Sequence, residues 1–122
     1  MTDHPINRRR FKRIAFDAVT TLGQGATIWS APLVDLSLKG LLVRRPGNWH
    51  DGTRGVFLVD IRLAEHAHVE MDAELVHEDH GQLGFKWLHI DLESIQHLRR
   101  LIQLNLGDEA QMERELDALF DD

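Results

Sequence analysis

The sequence predicts a mainly β protein, a six-stranded antiparallel β-barrel followed by C-terminal α-helices. Three observations carry that prediction. Apolar and polar residues alternate along residues 57–63 and 69–75, which is the period of half-buried strands. Turn signals separate six short β-compatible segments within about 75 residues, the pattern of a small barrel. Beyond Asp91 the apolar period lengthens to that of a helix.

Residues 1–7 read as a loose N-terminal tail, with Phe11 and Ile14 as the first apolar anchors. Residues 14–22 form the first strand and end at the turn Gly23-Gln24-Gly25. Residues 26–36 form the second, with Ile28, Trp29, Leu33 and Val34 supplying apolar bulk. Pro32 has no N–H to give a ladder, so it places an edge or a bulge there. A turn over residues 37–40 leads into the short strand Leu41-Leu42-Val43. Arg44-Arg45-Pro46-Gly47-Asn48-Trp49 then opens a loop of about ten residues, because Pro-Gly favours a turn.

The fourth strand alternates Phe57, Val59, Ile61 and Leu63 with Leu58, Asp60 and Arg62. The fifth alternates Val69, Met71, Ala73 and Leu75 with Glu70, Asp72 and Glu74. After the polar turn Glu78-Asp79-His80-Gly81, residues 83–90 form the sixth. Ile95, Leu98, Leu101 and Ile102 then recur at helical spacing, with Asp91 as N-cap and Gly107 as stop. Asp108 caps a second helix, with Gln111 in the capping-box position. Met112, Leu116, Leu119 and Phe120 make its apolar face, and the acidic residues from Glu113 onward read as its solvated face. The chain thus divides into the tail, a domain over residues 8–107, and an acidic C-terminal helix over residues 108–122. Trp29, Trp49 and Trp87 are expected to pack in the core or under loops.

Composition narrows the function. Cysteine is absent, which excludes disulfides and thiolate metal sites and fits a cytoplasmic protein. No apolar run approaches the length of a membrane span, and residues 1–5 lack the apolar centre of a signal peptide. Membrane insertion is therefore not expected. The net charge is −6, yet five of the fourteen Lys and Arg residues fall within residues 8–13. An acidic body with one focused basic patch does not suit long nucleic acid, which favours broad basic stripes; it suits a small anion. Eight histidines are present, but His77-Glu78-Asp79-His80 has the wrong spacing for a zinc helix, and no metal is expected. Ser37 lies in no nucleophile elbow, no phosphate-binding loop of the Walker type is present, and no catalytic residue is expected.

Two motifs carry the rest. Arg9 and Arg13 form an R-x-x-x-R pair inside Arg8-Arg9-Arg10-Phe11-Lys12-Arg13, and Asp35, Ser37 and Gly40 form D-x-S-x-x-G about 22 residues later. Their order and separation, in a β-rich chain ending in helices, resemble the PilZ domain, a bacterial receptor for the second messenger cyclic di-GMP. The likeness is nearest to stand-alone PilZ proteins with a C-terminal helical extension. It implies no cofactor and no catalysis, but a ligand with two phosphates and two guanines. Arginine's planar fork can bind phosphate or guanine O6 and N7 through paired hydrogen bonds and can stack on a purine. A carboxylate such as Asp35 can accept from guanine N1 and N2, a hydroxyl such as Ser37 can donate or accept, and Gly40 allows a close backbone approach or a positive φ.

The resemblance further implies that Arg9 and Arg13 clamp the ligand while Asp35, Ser37 and Gly40 line the opposite side. Arg8, next to the first motif arginine, implies two intercalated ligand molecules, with Arg10 assisting. Where similar proteins place a tryptophan beside the ligand, this chain has His77, a smaller and titratable stacking surface. Arg44 is a candidate to compensate. The expected output is a rearrangement of the N-terminal arm that an unidentified downstream protein reads. The alternatives are a PilZ-type adaptor with weak or no nucleotide binding and, more distantly, a short-oligonucleotide binder.

Overall fold

In the computed structural model, residues 11–50, 52–106 and 109–121 are described. The strands are β1 (Ile14–Ala15), β2 (Val19–Gln24), β3 (Thr27–Leu36), β4 (Gly40–Arg44), β5 (Val56–Ala64), β6 (Ala67–Asp79) and β7 (Gln82–Ile90). Two helices follow, α1 (Leu92–Leu106) and α2 (Glu109–Asp121). Every pairing is antiparallel, in the order β1-β3-β2-β5-β6-β7-β4. Because β4 also pairs with β3, the strands from β3 round to β4 close a six-stranded barrel. Closure removes the exposed edges that an open sheet would leave.

The first predicted strand is divided in two. Continuing the pairing Ile14↔Leu36 would set Val19 against Ala31, but Val19 pairs with Pro32. That slip of one residue accounts for the break at residues 16–18. Pro32 is tolerated for a related reason. Leu33 N–H donates to Ala18 O, so the Pro32 nitrogen faces the other side, toward β4, whose pairing begins only at Leu33↔Val43. The β3–β4 register then shifts between Leu33 and Asp35, a bulge at Val34.

Alternation places Phe57, Val59 and Ile61 of β5 and Val69, Met71 and Ala73 of β6 in the core, which they share with Leu22, Leu33, Val43 and Leu83. Trp29 and Trp49 meet with ring centroids 4.8 Å apart, and Phe57 packs edge-on against Phe85 at 5.4 Å. Trp49 belongs to the β4–β5 loop, so that loop is fastened by an aromatic side chain.

Helix α1 begins where the sequence places its cap. Ser94 N–H donates to Asp91 Oδ1 at 2.7 Å, which satisfies one of the free amides of the first turn. Glu70 N–H donates in turn to Ser94 Oγ, joining α1 to β6, and Leu98 and Ile102 are fully buried. The proposed stop at Gly107, the cap at Asp108 and the side chains of Met112, Leu116, Leu119 and Phe120 lie outside the described residues.

One expectation for α2 is corrected. Glu115 is not part of a solvated face but is 2% exposed, and its Oε2 accepts from Lys12 N–H at 2.9 Å and from Gln111 Nε2 at 3.3 Å. Oε1 is buried without a partner. Burial pushes the Glu115 carboxyl above the ordinary value of 4.5, against smaller opposing effects from the Lys12 amide, Gln111 and the Lys12 and Arg114 charges. The folded chain therefore holds this proton more tightly than the unfolded chain does. Stability linked to it is fully present below pH 4.5 and is lost as pH rises through the raised value. Thermal melts of Glu115→Gln, which keeps an acceptor without the charge, test this. The wild type should lose ground to the variant as pH rises from about 4.5 to 7; a difference constant with pH would refute the assignment.

Candidate functional site

The turn after β3 is built by the residues of the D-x-S-x-x-G motif. Ser37 is buried, and its Oγ accepts from Lys39 N–H at 3.1 Å and Gly40 N–H at 3.3 Å, while Ser37 N–H donates to Gly40 O at 2.9 Å. Both hydroxyl lone pairs are thereby engaged, leaving the hydroxyl proton as the group Ser37 can offer a ligand. The turn is tied to β7 as Trp87 Nε1 donates to Leu38 O and Trp87 N–H to Lys39 O. Trp87 is thus a half-buried turn anchor.

Gly40 is needed for closeness and not for backbone twist. It does not take a positive φ, but a Cβ there would lie 2.0 Å from Phe85 O. Strand β7 passes directly over it in the pairing Gly40↔Lys86.

Beside this turn lies an open cleft of about 290 Å³, whose lining includes Arg13, Asp35, Ser37, Gly40 and His77. Register explains how residues so distant in sequence meet. Asp35 pairs with Leu42, Leu42 with Gly84, and Gly84 with His77, a row running across β3, β4, β7 and β6. All four residues line the cleft. A side chain at Gly84 would press on His77, since a Cβ there would lie 3.1 Å from His77 Cβ and 3.7 Å from ring atoms Cγ and Cδ2. Gly84 thus leaves part of the cleft floor without a side chain, next to the His77 ring. Bulges at Val34 and between Leu75 and His77 flank the row and re-aim the side chains at both walls.

Arg13 Nη2 donates to Asp35 Oδ2 at 2.9 Å, with side-chain exposures of 40% and 18%. The pair β1–β3 sets this contact by placing Ala15 opposite Asp35. The second arginine of one motif is thus joined to the first residue of the other. Arg8, Arg9 and Arg10 lie outside the described residues. Arg44 pairs opposite Gln82 and does not line the cleft, so the geometry gives it no compensating role.

Lys39, Leu42, Val76, Gly84 and Lys86 also line the cleft, and Phe11 sits under the Lys39 ammonium at 5.7 Å from its ring centroid. Lys39 was visible inside the D-x-S-x-x-G string. The others enter through strand pairing, which no local pattern announces. Among the described residues, no group of three or more His, Asp or Glu side chains converges as metal ligands would. The cleft brings together a cationic fork, a carboxylate acceptor and an imidazole beside the Gly84 backbone, groups that can bond a flat, anionic molecule with N–H donors.

Fold and cleft together define a small antiparallel β-barrel with an open cleft beside the β3–β4 turn. The chain belongs to the PilZ domain family, whose sequence model matches residues 7–104. Solved structures agree on the fold. The Escherichia coli protein YcgR in complex with c-di-GMP is 23% identical, with a TM-score of 0.63 over 87% of this chain and 49% of that one. The PilZ domain of CeSA from a cellulose-synthesizing bacterium is 22% identical, with a TM-score of 0.59 over 80% of this chain and 99% of that one. The Bacillus subtilis inhibitor of motility MotI/DgrA is 16% identical, with a TM-score of 0.65 over 83% of this chain and 52% of that one. This chain therefore spans about half of YcgR and of MotI/DgrA. Among the described residues no helix is long and apolar enough to cross a membrane.

Proposed function

We propose that this chain is a cyclic di-GMP receptor that passes the ligand's presence to a partner protein and catalyses nothing. The carrying observation is the meeting of Arg13 and Asp35 at 2.9 Å on the wall of a cleft that also holds Ser37, Gly40 and His77. Family membership supports the reading, as does the c-di-GMP in the YcgR structures that share the fold.

In this reading the Arg13 guanidinium turns from Asp35 to a phosphate or to guanine O6 and N7, and the freed carboxylate accepts from guanine N1 and N2. Ser37 donates its remaining proton, and the His77 ring flanks a base over the Gly84 floor. Arg9 completes the clamp, Arg10 adds charge, and Arg8 sets the stoichiometry at two intercalated ligands. Residues 8–107 form the binding unit, and residues 108–122 contact it through Glu115. Closure of the arm over the nucleotide changes the surface a partner meets. Such a switch works only if the ligand binds the closed form more tightly.

Titration calorimetry with cyclic di-GMP, GTP and a short single-stranded oligonucleotide tests the proposal. Wild type is expected to bind about two cyclic di-GMP molecules and neither competitor comparably, while Arg8→Ala falls toward one ligand. No heat at tens of micromolar would leave a PilZ adaptor acting through protein contacts alone. Unchanged stoichiometry in Arg8→Ala would remove the role given to Arg8.

A further inference from the structure

We infer that Lys86 is a phosphate-binding residue of this cleft, an inference that rests on the cyclic di-GMP reading above. Lys86 lies on β7 directly across from Gly40, two residues beyond Gly84, so it stands on the same sheet face as the bare floor. It is exposed and lines the cleft. Gly40 offers no side chain to cover it; a Cβ at Gly40 would sit 3.2 Å from Lys86 Cα.

Its electrostatic setting points the same way. Arg13 is already engaged by Asp35 at 2.9 Å, and the Lys39 ammonium lies over the Phe11 ring. Lys86 forms no ion pair among the described residues, although Glu74 is its cross-strand neighbour on β6. An ammonium left to water in the cleft gives up little when a phosphate arrives. It is a point charge with three donors and needs no fixed approach direction, in contrast to the arginine fork. Lys86 is placed on β7 to meet a phosphate, while Arg13 meets the ligand beside Asp35 of β3.

The test is calorimetry of wild type, Lys86→Ala and Lys86→Arg with cyclic di-GMP at several salt concentrations. Lys86→Ala is expected to weaken binding by roughly 5–10-fold and to flatten the slope of log K against log salt, because one screened charge contact is lost. Lys86→Arg should restore most of both. The melting temperature should stay the same in all three, because the side chain is exposed. If wild type binds but Lys86→Ala keeps its affinity and slope, the inference falls and the receptor reading stands. If wild type does not bind, the receptor reading itself fails. Equal weakening in the alanine and arginine variants would overturn the inference about Lys86 alone, since charge would then not be the cause.

Discussion

Arg13→Ala is expected to weaken cyclic di-GMP binding by roughly 10²–10³-fold while leaving the fold nearly as stable as before. A guanidinium that makes two charge-assisted hydrogen bonds to a phosphate or guanine contributes about 3–4 kcal/mol, at about 1.4 kcal/mol per tenfold in affinity. The structural cost runs the other way. The Arg13–Asp35 pair is partly open to water, with Arg13 at 40% exposure, and such pairs contribute about 0–1 kcal/mol to stability. Arg13→Lys keeps the charge but loses the fork, so it should recover only a small part of the affinity. Calorimetry and thermal melts on the same samples separate the two terms. A variant that binds as wild type does would move the site elsewhere. A variant that melts much earlier would make the pair a structural clasp.

Asp35 enters the same argument from the other side. In the free protein its carboxylate is bonded to Arg13, the arginine that meets the ligand in the proposed complex. Asp35→Ala therefore both frees Arg13 and removes the acceptor for guanine N–H groups, and the net sign depends on which contribution is larger. Measured with Arg13→Ala in a double-mutant cycle, the coupling reports whether the ligand is held between the two residues.

The parts of the fold that were legible in sequence are those where one residue's environment repeats along the chain. Strands β5 and β6 bury alternate side chains from Phe57 to Ile61 and from Val69 to Ala73, so the order of apolar and polar residues displays their period. The Asp91 cap was legible because a capping carboxylate acts on an amide three residues away. The break between β1 and β2 was not, because it follows from a one-residue register slip against β3. Glu115 was misread for the same kind of reason. Its carboxylate is buried by a contact with Lys12, 103 residues earlier, and an acidic residue on a helix otherwise belongs in water. The cleft divides similarly. Arg13, Asp35, Ser37 and Gly40 were marked by motif spacing, whereas Gly84 and Lys86 join them only through the pairing of β4 with β7.

Gly40→Ala is expected to lower the melting temperature by roughly 10–20 °C, a loss of about 2–3 kcal/mol from a domain of this size. The new Cβ would sit 2.0 Å from Phe85 O, 3.0 Å from Phe85 C and 3.2 Å from Lys86 Cα. All three are backbone atoms, so no rotamer change relieves the clash, and β4 must move away from β7. That shift pulls on the Ser37 turn, whose hydrogen bonds to Gly40 run in both directions, and it displaces Lys86 from the floor. Ligand binding should fall as well, but as a consequence of the moved strand. Gly84→Ala gives the contrast, because its Cβ would meet the His77 side chain at 3.1 Å, and a side chain can turn aside. Its melting point should drop much less, with the loss appearing mainly in affinity as the imidazole leaves the floor. If Gly40→Ala instead melts like wild type and only its binding suffers, then β4 and β7 have more room than their pairing implies, and Gly40 serves the ligand directly. The expected pattern divides D-x-S-x-x-G by role: Ser37 and Gly40 make the turn that holds β4 against β7, and Asp35, with Arg13, faces the ligand.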